Sequence, residues 1–350
     1  MGKRKSVKFG RGRAAVTGYW PLSIHCPRVR TGRKGAGFEA GSQKTIPLAR
    51  SPHSLSRMKS MPARILFFFV ASLLAFSGCR KAERPQALPA SGPRLISLAP
   101  NLTEMIFAVG AGSNLVGRTS ACDTPAAALA VPVVGGYGDP SFEMLLSLQP
   151  DHILYVDMLN KDFDARLRER GLDSKLIRCL HLDDIPAALA EVGRLAGRAS
   201  QGEELAASLR EEIRAARAAL SNSTPPRVFV ELWDDPLYTV GRGSFVSELV
   251  TLAGGTNIGD EVDSPYFAAS PEWVIDRNPE VILCLFMDQS HQTVKRVTSV
   301  PAFASLSAVK NGRVYADFDL TELLRPGPRV MRSVAALRRC LGDPTYKEKP

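Results

Sequence analysis

In 350 residues, 45 Lys and Arg outnumber 35 Asp and Glu, a net charge of +10 that ordinarily points to a polyanionic partner. The excess is local: residues 1–57 hold 13 Lys or Arg against the single acid Glu39, so the rest of the chain sums to −2. That confines any nucleic-acid binding to the leading segment, while the length allows one to three domains.

Residues 1–57 are rich in Gly, Ser and Pro and lack apolar periodicity, the composition of a chain that buries no core. They read as a disordered extension, or as sequence ahead of a true start at Met58 or Met61, with a basic nucleic-acid-binding arm as the alternative. Residues 58–78 read as a secretion leader. Lys59 and Arg64 precede the apolar run 65–76, which falls short of the ~20 residues that span a bilayer as a stable helix. Ser77-Gly78-Cys79 follows, and small residues before a Cys resemble the bacterial lipobox, with Cys79 as the lipidated first residue of the mature chain. Phe76 departs from the usual Leu of that signal; a simple cleaved signal or a membrane anchor is the alternative. Residues 79–93 are Pro- and Ala-rich and read as a tether.

The first lobe is expected over 94–198. A strand at 94–99 leads into Asn101-Leu102-Thr103-Glu104, which has the form of a capping box, and the helix it starts closes near Gly110 and Gly112. Strands are expected at 115–117, 153–156 and 175–179. A helix at 161–170 closes at Gly171, and Asp183-Asp184 caps a helix whose Ile185, Leu189, Val192 and Leu195 share one face. This alternation of strand and helix implies a largely parallel sheet.

A long helix is predicted over 201–220, within a linking segment 199–222. Leu205, Leu209, Ile213, Ala216 and Leu220 fall on one stripe, with Glu203 and Glu204 near its start and Arg210, Arg214 and Arg217 toward its end. The second lobe is expected over 226–342, with a tail at 343–350. It opens with a strand at 227–232. A helix starts at Ser244 and ends at Gly254-Gly255, strands follow at 281–285 and 313–316, and a closing helix over 328–339 turns Val330, Val334 and Leu337 inward. The expected fold is therefore α/β: two Rossmann-like lobes with mainly parallel sheets, joined by one long rigid helix.

Two stretches flanking that helix repeat one template: Ser, any, Glu, any, two apolar, three mixed, Pro, acid, any, Ile-Leu. They occupy 141–154 and 270–283, every position 129 further on (270 against 141, 279 against 150). Each reads as a Ser-capped short helix, a Pro stop and a buried strand. Tyr137 and Tyr266 each stand six residues before the Glu of a copy, Glu143 and Glu272. Two rings at matched loops suit a large planar ligand, and Trp233 and Tyr238 can extend the same wall. Glu143 and Glu272 fall in first turns, where the helix dipole favours a negative charge. They read either as dipole compensation, as a symmetric pair meeting basic residues on a two-fold partner, or as the acid and base of an exported enzyme.

Other chemistry is thin. No Gly-x-Ser-x-Gly elbow, P-loop or His-Glu-x-x-His is present, and His152, His181 and His291 are isolated, so no catalytic residue, cofactor or metal site is expected. Cys122, Cys179, Cys284 and Cys340 form no Cys-x-x-Cys pair, and buried free thiols are expected at Cys179 and Cys284.

The segments SLAPNLTEMIFAVGAG, GGYGDPSFEMLLSLQPDHIL, LYTVGRGSFVSELVTLAGGTNI, SPEWVIDRNPEVIL and LLRPGPRV together resemble the substrate-binding proteins of ABC importers for cobalamin, haem and iron–siderophores. The resemblance covers about residues 93–341 and is nearest the cobalamin-binding branch. It implies ligand held between two lobes with limited hinge closure, with Tyr137 and Tyr266 lining the site and Tyr238 as a further aromatic. Arg325 and Arg329 fall near the second-lobe wall, Arg329 alternatively serving helix packing. Glu143 and Glu272 fall on the family's docking glutamates, which engage arginines of a permease dimer worked by an ATPase. Cobalamin binders commonly place Trp where this chain has Tyr, and Val156 stands where another aromatic can occur, so haem or a ferric siderophore stays open as ligand. The implied protein is an exported, periplasmic monomer, lipid-anchored through Cys79, with no nucleic-acid partner.

Overall fold

The computed structural model describes residues 92–157, 162–220, 224–286 and 293–342. The basic extension, the leader, Cys79 and His291 lie outside the described residues.

The first lobe is a four-stranded sheet in the order β2-β1-β5-β6, every pair parallel. In chain order its elements are β1 (Leu95–Ser97), α1 (Pro100–Ala108), β2 (Leu115–Arg118), the small hairpin β3 (Gly135–Gly136) and β4 (Asp139–Pro140), α2 (Phe142–Ser147), β5 (His152–Tyr155), α3 (Phe163–Arg168), β6 (Ser174–Leu176) and α4 (Asp184–Leu195). Gly135 is obligatory in that hairpin: its φ is +140°, and a Cβ there would sit 2.6 Å from the Asp139 carbonyl oxygen. The expected capping box does not form. Helix α1 starts earlier, with Ala99 as N-cap and no side-chain cap. The Asn101 amide donates instead to the Pro326 carbonyl, and the Glu104 carboxylate accepts from Arg329, both far along the chain. Tertiary partners outcompete the local cap.

Helix α5 (Ala199–Ala218) starts two residues before the predicted span. Glu203 and Glu204 therefore fall outside its first turn, which holds no acid; Arg217 is in the last turn and pairs with Asp183. Its buried stripe is Gly202, Ala206, Leu209, Ile213 and Ala216. Leu205 is only half-buried and Leu220 is exposed, two misses from the predicted stripe. The shift has a cause: α5 packs along α4, with Gly202 set against Gly193. A Cβ on Gly202 would lie 2.9 Å from both the Gly193 Cα and the Leu189 carbonyl oxygen, so the backbones themselves are in contact.

The second lobe comprises β7 (Arg227–Asp234), β8 (Leu237–Val240), α6 (Phe245–Leu252), β9 (Thr256–Asn257), β10 (Tyr266–Ala268), α7 (Pro271–Arg277), β11 (Val281–Cys284), α8 (Thr293–Thr298), α9 (Ser307–Lys310), β12 (Val314–Tyr315), α10 (Leu320–Leu323) and α11 (Val330–Gly342). The sheet order is β10-β8-β7-β11-β12, with β9 on the start of β7. Strands β9, β11 and β12 are parallel to their neighbours, whereas β8 and β10 run antiparallel. The second sheet is thus mixed, because a tight turn at 235–236 sends β8 straight back along β7.

The duplication is structural. Ser141 caps α2 through Met144 N–H, and Ser270 caps α7 through Trp273 N–H. Gln149 and Asn278, each before its Pro, take left-handed φ of 44° and 39°. An arginine opening each lobe completes the motif. Arg94 donates to the Leu148 and Gln149 carbonyls, and its N–H bonds Asp151; Arg227 donates to the Arg277 and Asn278 carbonyls, and its N–H bonds Glu280.

The lobes do not have wholly separate cores. One apolar cluster runs from Leu102 and Ile106 through Leu189, Leu209 and Ile213 to Val230, Leu249 and Val334, and two smaller clusters cover the outer faces. Cys122, Cys179, Cys284 and Cys340 are all buried and form no disulfide.

Substituting Gly202 tests the α4–α5 crossing. Ala adds about 1 kcal/mol of helix propensity, but the overpacking cost of about 1–3 kcal/mol falls on backbone that cannot move aside. Gly202→Ala is expected to lower stability by about 1 kcal/mol in urea unfolding, and Gly202→Val by more; a stabilised Ala variant would refute the contact.

Candidate functional site

Tyr137 is carried on the β3–β4 turn of the first lobe, and Tyr266 opens β10 of the second. Both rings are half-buried and pack on the same central apolar cluster. Burial pushes each phenol up to about 12, so both are neutral at physiological pH and present a ring face with an O–H donor. Tyr238 lies opposite Ala268 in the β8–β10 ladder, and Tyr266 opposite Val240, which puts both tyrosines on one face of the hairpin. Trp233 does not join that wall. It is opposite Tyr238 in register, yet its ring packs on Phe286 at 6.3 Å in a separate outer cluster, and its Nε1–H donates to the Asp235 carbonyl.

Arg325 reaches across from the second lobe. Its Nη1 lies 2.7 Å from Asp123 Oδ1 and 3.7 Å from Glu104 Oε1, and its charge acts on the Tyr137 phenol. Arg329 is held by Glu104 at 2.7 and 2.9 Å and by Glu322 at 2.8 Å. Asp123 and Glu104 are the residues sequence reading misses here. Each is separated from its arginine by over 200 positions, so no local pattern marks them.

Glu143 and Glu272 are exposed in the first turns of α2 and α7. The Glu272 carboxyl is held below its ordinary range by its own backbone N–H and the Ser270 hydroxyl, the reverse of what a general acid requires. Their surroundings differ: Met144 and Leu146 are exposed beside Glu143, whereas Arg277 stacks on Trp273 at 4.0 Å beside Glu272. A cavity of about 670 Å³ lies elsewhere, at the end of α5, lined by His181, Leu182, Arg217, Arg242, Glu248 and Asp260. Here the lobes also touch: Glu248 accepts from Leu182 N–H at 2.7 Å and pairs with His181 Nδ1 at 2.6 Å.

The periplasmic binding protein family model matches residues 95–319, well over half of the chain and both lobes. The chain belongs to the periplasmic binding protein family. The vitamin B12-binding protein of Vibrio cholerae serotype O1 is similar to it, 30% identical over 249 residues, covering 71% of this chain and 88% of that one. Among solved structures, the periplasmic vitamin B12 binding protein BtuF of Vibrio cholerae aligns with a TM-score of 0.64 at 28% identity, over 73% of this chain and 99% of that one. The periplasmic haem-binding protein RhuT from Roseiflexus sp. RS-1 aligns equally, with a TM-score of 0.64 at 29% identity, over 73% and 100%. Membership places this binding protein in the periplasm, and its relatives are binding proteins.

One further carboxyl in this periplasmic binding protein is out of the ordinary. Glu231 on β7 is 3% exposed, 3.6 Å from the Cys284 thiol, and burial raises it to about 7. Its folded value lies above the unfolded one, so its contribution to stability is full below about 4.5 and is lost as pH rises through 7. Between pH 5 and 8 wild type is expected to lose about 2–3 kcal/mol relative to Glu231→Gln. Parallel urea curves at the two pH values check this, and an unchanged difference would refute it.

Proposed function

We propose that this chain is the lipid-anchored binding component of an ABC importer, capturing cobalamin between its lobes and delivering it to a permease dimer worked by an ATPase. The single observation that carries the reading is the pairing of Tyr137 and Tyr266. They come from different lobes and pack on one apolar cluster, each six residues ahead of an exposed glutamate in a duplicated helix. Neutral phenol rings suit a flat, amide-fringed macrocycle. The resemblance of Vibrio B12-binding proteins over both lobes supports the same ligand.

In this reading the lobes are 94–198 and 226–342, joined by 199–222, and residues 79–93 tether a monomer to the membrane through Cys79. Glu143 and Glu272 meet basic residues of the two permease subunits. No residue is catalytic, the chain holds no cofactor or metal of its own, and the extension 1–57 binds no nucleic acid. A haem or ferric-siderophore ligand is the second reading, favoured by the equal fit of the haem-binding RhuT. Against it, a phenol raised to about 12 resists becoming the tyrosinate that ligates ferric iron.

Absorbance titration of the purified protein with cyanocobalamin, haemin and ferric siderophores separates these readings; a Tyr–haem band with no corrinoid response would overturn the first. Tyr137→Ala is expected to weaken cyanocobalamin binding about ten- to hundredfold with an unchanged thermal midpoint, and wild-type affinity would remove Tyr137 from the site. Glu143→Ala with Glu272→Ala is expected to hold affinity within about threefold while abolishing uptake into cells; a large affinity loss would show these residues are misassigned.

A further inference from the structure

We propose that Asp123 decides the charge this site accepts: by occupying Arg325 beside Tyr137, it selects a planar ligand with an uncharged rim over one that carries carboxylates. The inference rests on the corrinoid reading above and narrows it.

A guanidinium is a planar fork matched to carboxylate geometry. The Arg325 side chain is 19% exposed, so its charge is only partly screened, and the loop leading to its partner Asp123 is tied to the Tyr137 turn by Ser120 N–H on the Gly135 carbonyl at 2.9 Å. Left open, it would be the natural anchor for a ligand carboxylate. The fork is instead closed, with Nη1 on Asp123 Oδ1 at 2.7 Å and Nη2 on Oδ2 at 3.3 Å. The other arginine of the same run, Arg329, is engaged by Glu104 and Glu322. Arg332 also reaches Glu322, and Asp319 lies 4.0 Å from Arg329, so three guanidinium charges meet four carboxylates and the local balance is not positive.

A carboxylate entering beside Tyr137 must displace Asp123 while approaching buried Glu104, which lies 3.7 Å from the same guanidinium. Two carboxylates sharing one guanidinium repel each other, which disfavours the ionised ligand. An amide meets no such opposition: its N–H can donate to the outer lone pairs of Asp123, whose side chain is 47% exposed.

The test uses the full chain with cyanocobalamin and a set of its monocarboxylates, each with one peripheral amide hydrolysed, so that ring and metal stay constant. Dissociation constants are read by calorimetry at fixed salt. Wild type is expected to bind at least one monocarboxylate about tenfold more weakly than cyanocobalamin. Asp123→Asn should bring the ratio of the two affinities to within about threefold of unity, and adding Arg325→Gln should remove the gain in carboxylate binding. Equal wild-type binding of every monocarboxylate overturns the proposal without any variant, and so does a parallel loss for both ligand types in Asp123→Asn. Wild-type protein that binds no corrinoid at all overturns the underlying functional reading, and this proposal with it.

Discussion

Glu104 is a point at which the two lobes are joined by charge. It sits on α1, is 5% exposed, and is held by arginines that the second lobe delivers. A carboxylate removed from water costs several kcal/mol unless good geometry offsets it. Here Arg329 grips both its oxygens, and Arg325 stands behind. Beside this ion cluster, the Pro326 carbonyl accepts from the Asn101 amide and the Cys179 thiol. Near the end of α5 the arrangement is reversed: Glu248 of the second lobe is received by Leu182 N–H and His181 of the first. Each lobe therefore places carboxylates in the other's keeping, Glu104 and Asp123 in one direction and Glu248 in the other.

Arg325, whose charge acts on Tyr137, is engaged in an ion pair between the lobes. The shared core works in the same direction. Leu189, Leu209 and Ile213 belong to the cluster that also takes in Val230 and Leu249. Helix α5 is thus not a bare strut, and Arg338 of the closing helix further secures its end through the Ala216 carbonyl. Large relative motion would break packing as well as ion pairs.

The thiols follow from the same packing. An exported protein meets an oxidising compartment, yet the four described cysteines are buried in separate places and unbridged. Burial pushes the Cys179 thiol up to about 12, which keeps it protonated and poorly reactive.

Local pattern was enough for much of this molecule. The Ser-capped helix, Pro stop and buried strand at 141–154 and 270–283 were legible because caps, stops and alternation act within a few residues of one another. The order of elements followed for the same reason, as did the inward faces of α4 and α11. What only tertiary structure decided depends on residues that meet across long separations. The antiparallel β8 and β10 are too short to announce themselves. The stripe of α5 is set by Gly202 against Gly193, a contact in which the absence of a side chain is the signal. Asn101 and Glu104 looked like a local cap until partners more than 220 residues away claimed them. Asp123 carried no mark at all, because a carboxylate has meaning only beside the charge it neutralises, and Arg325 arrives there by folding alone.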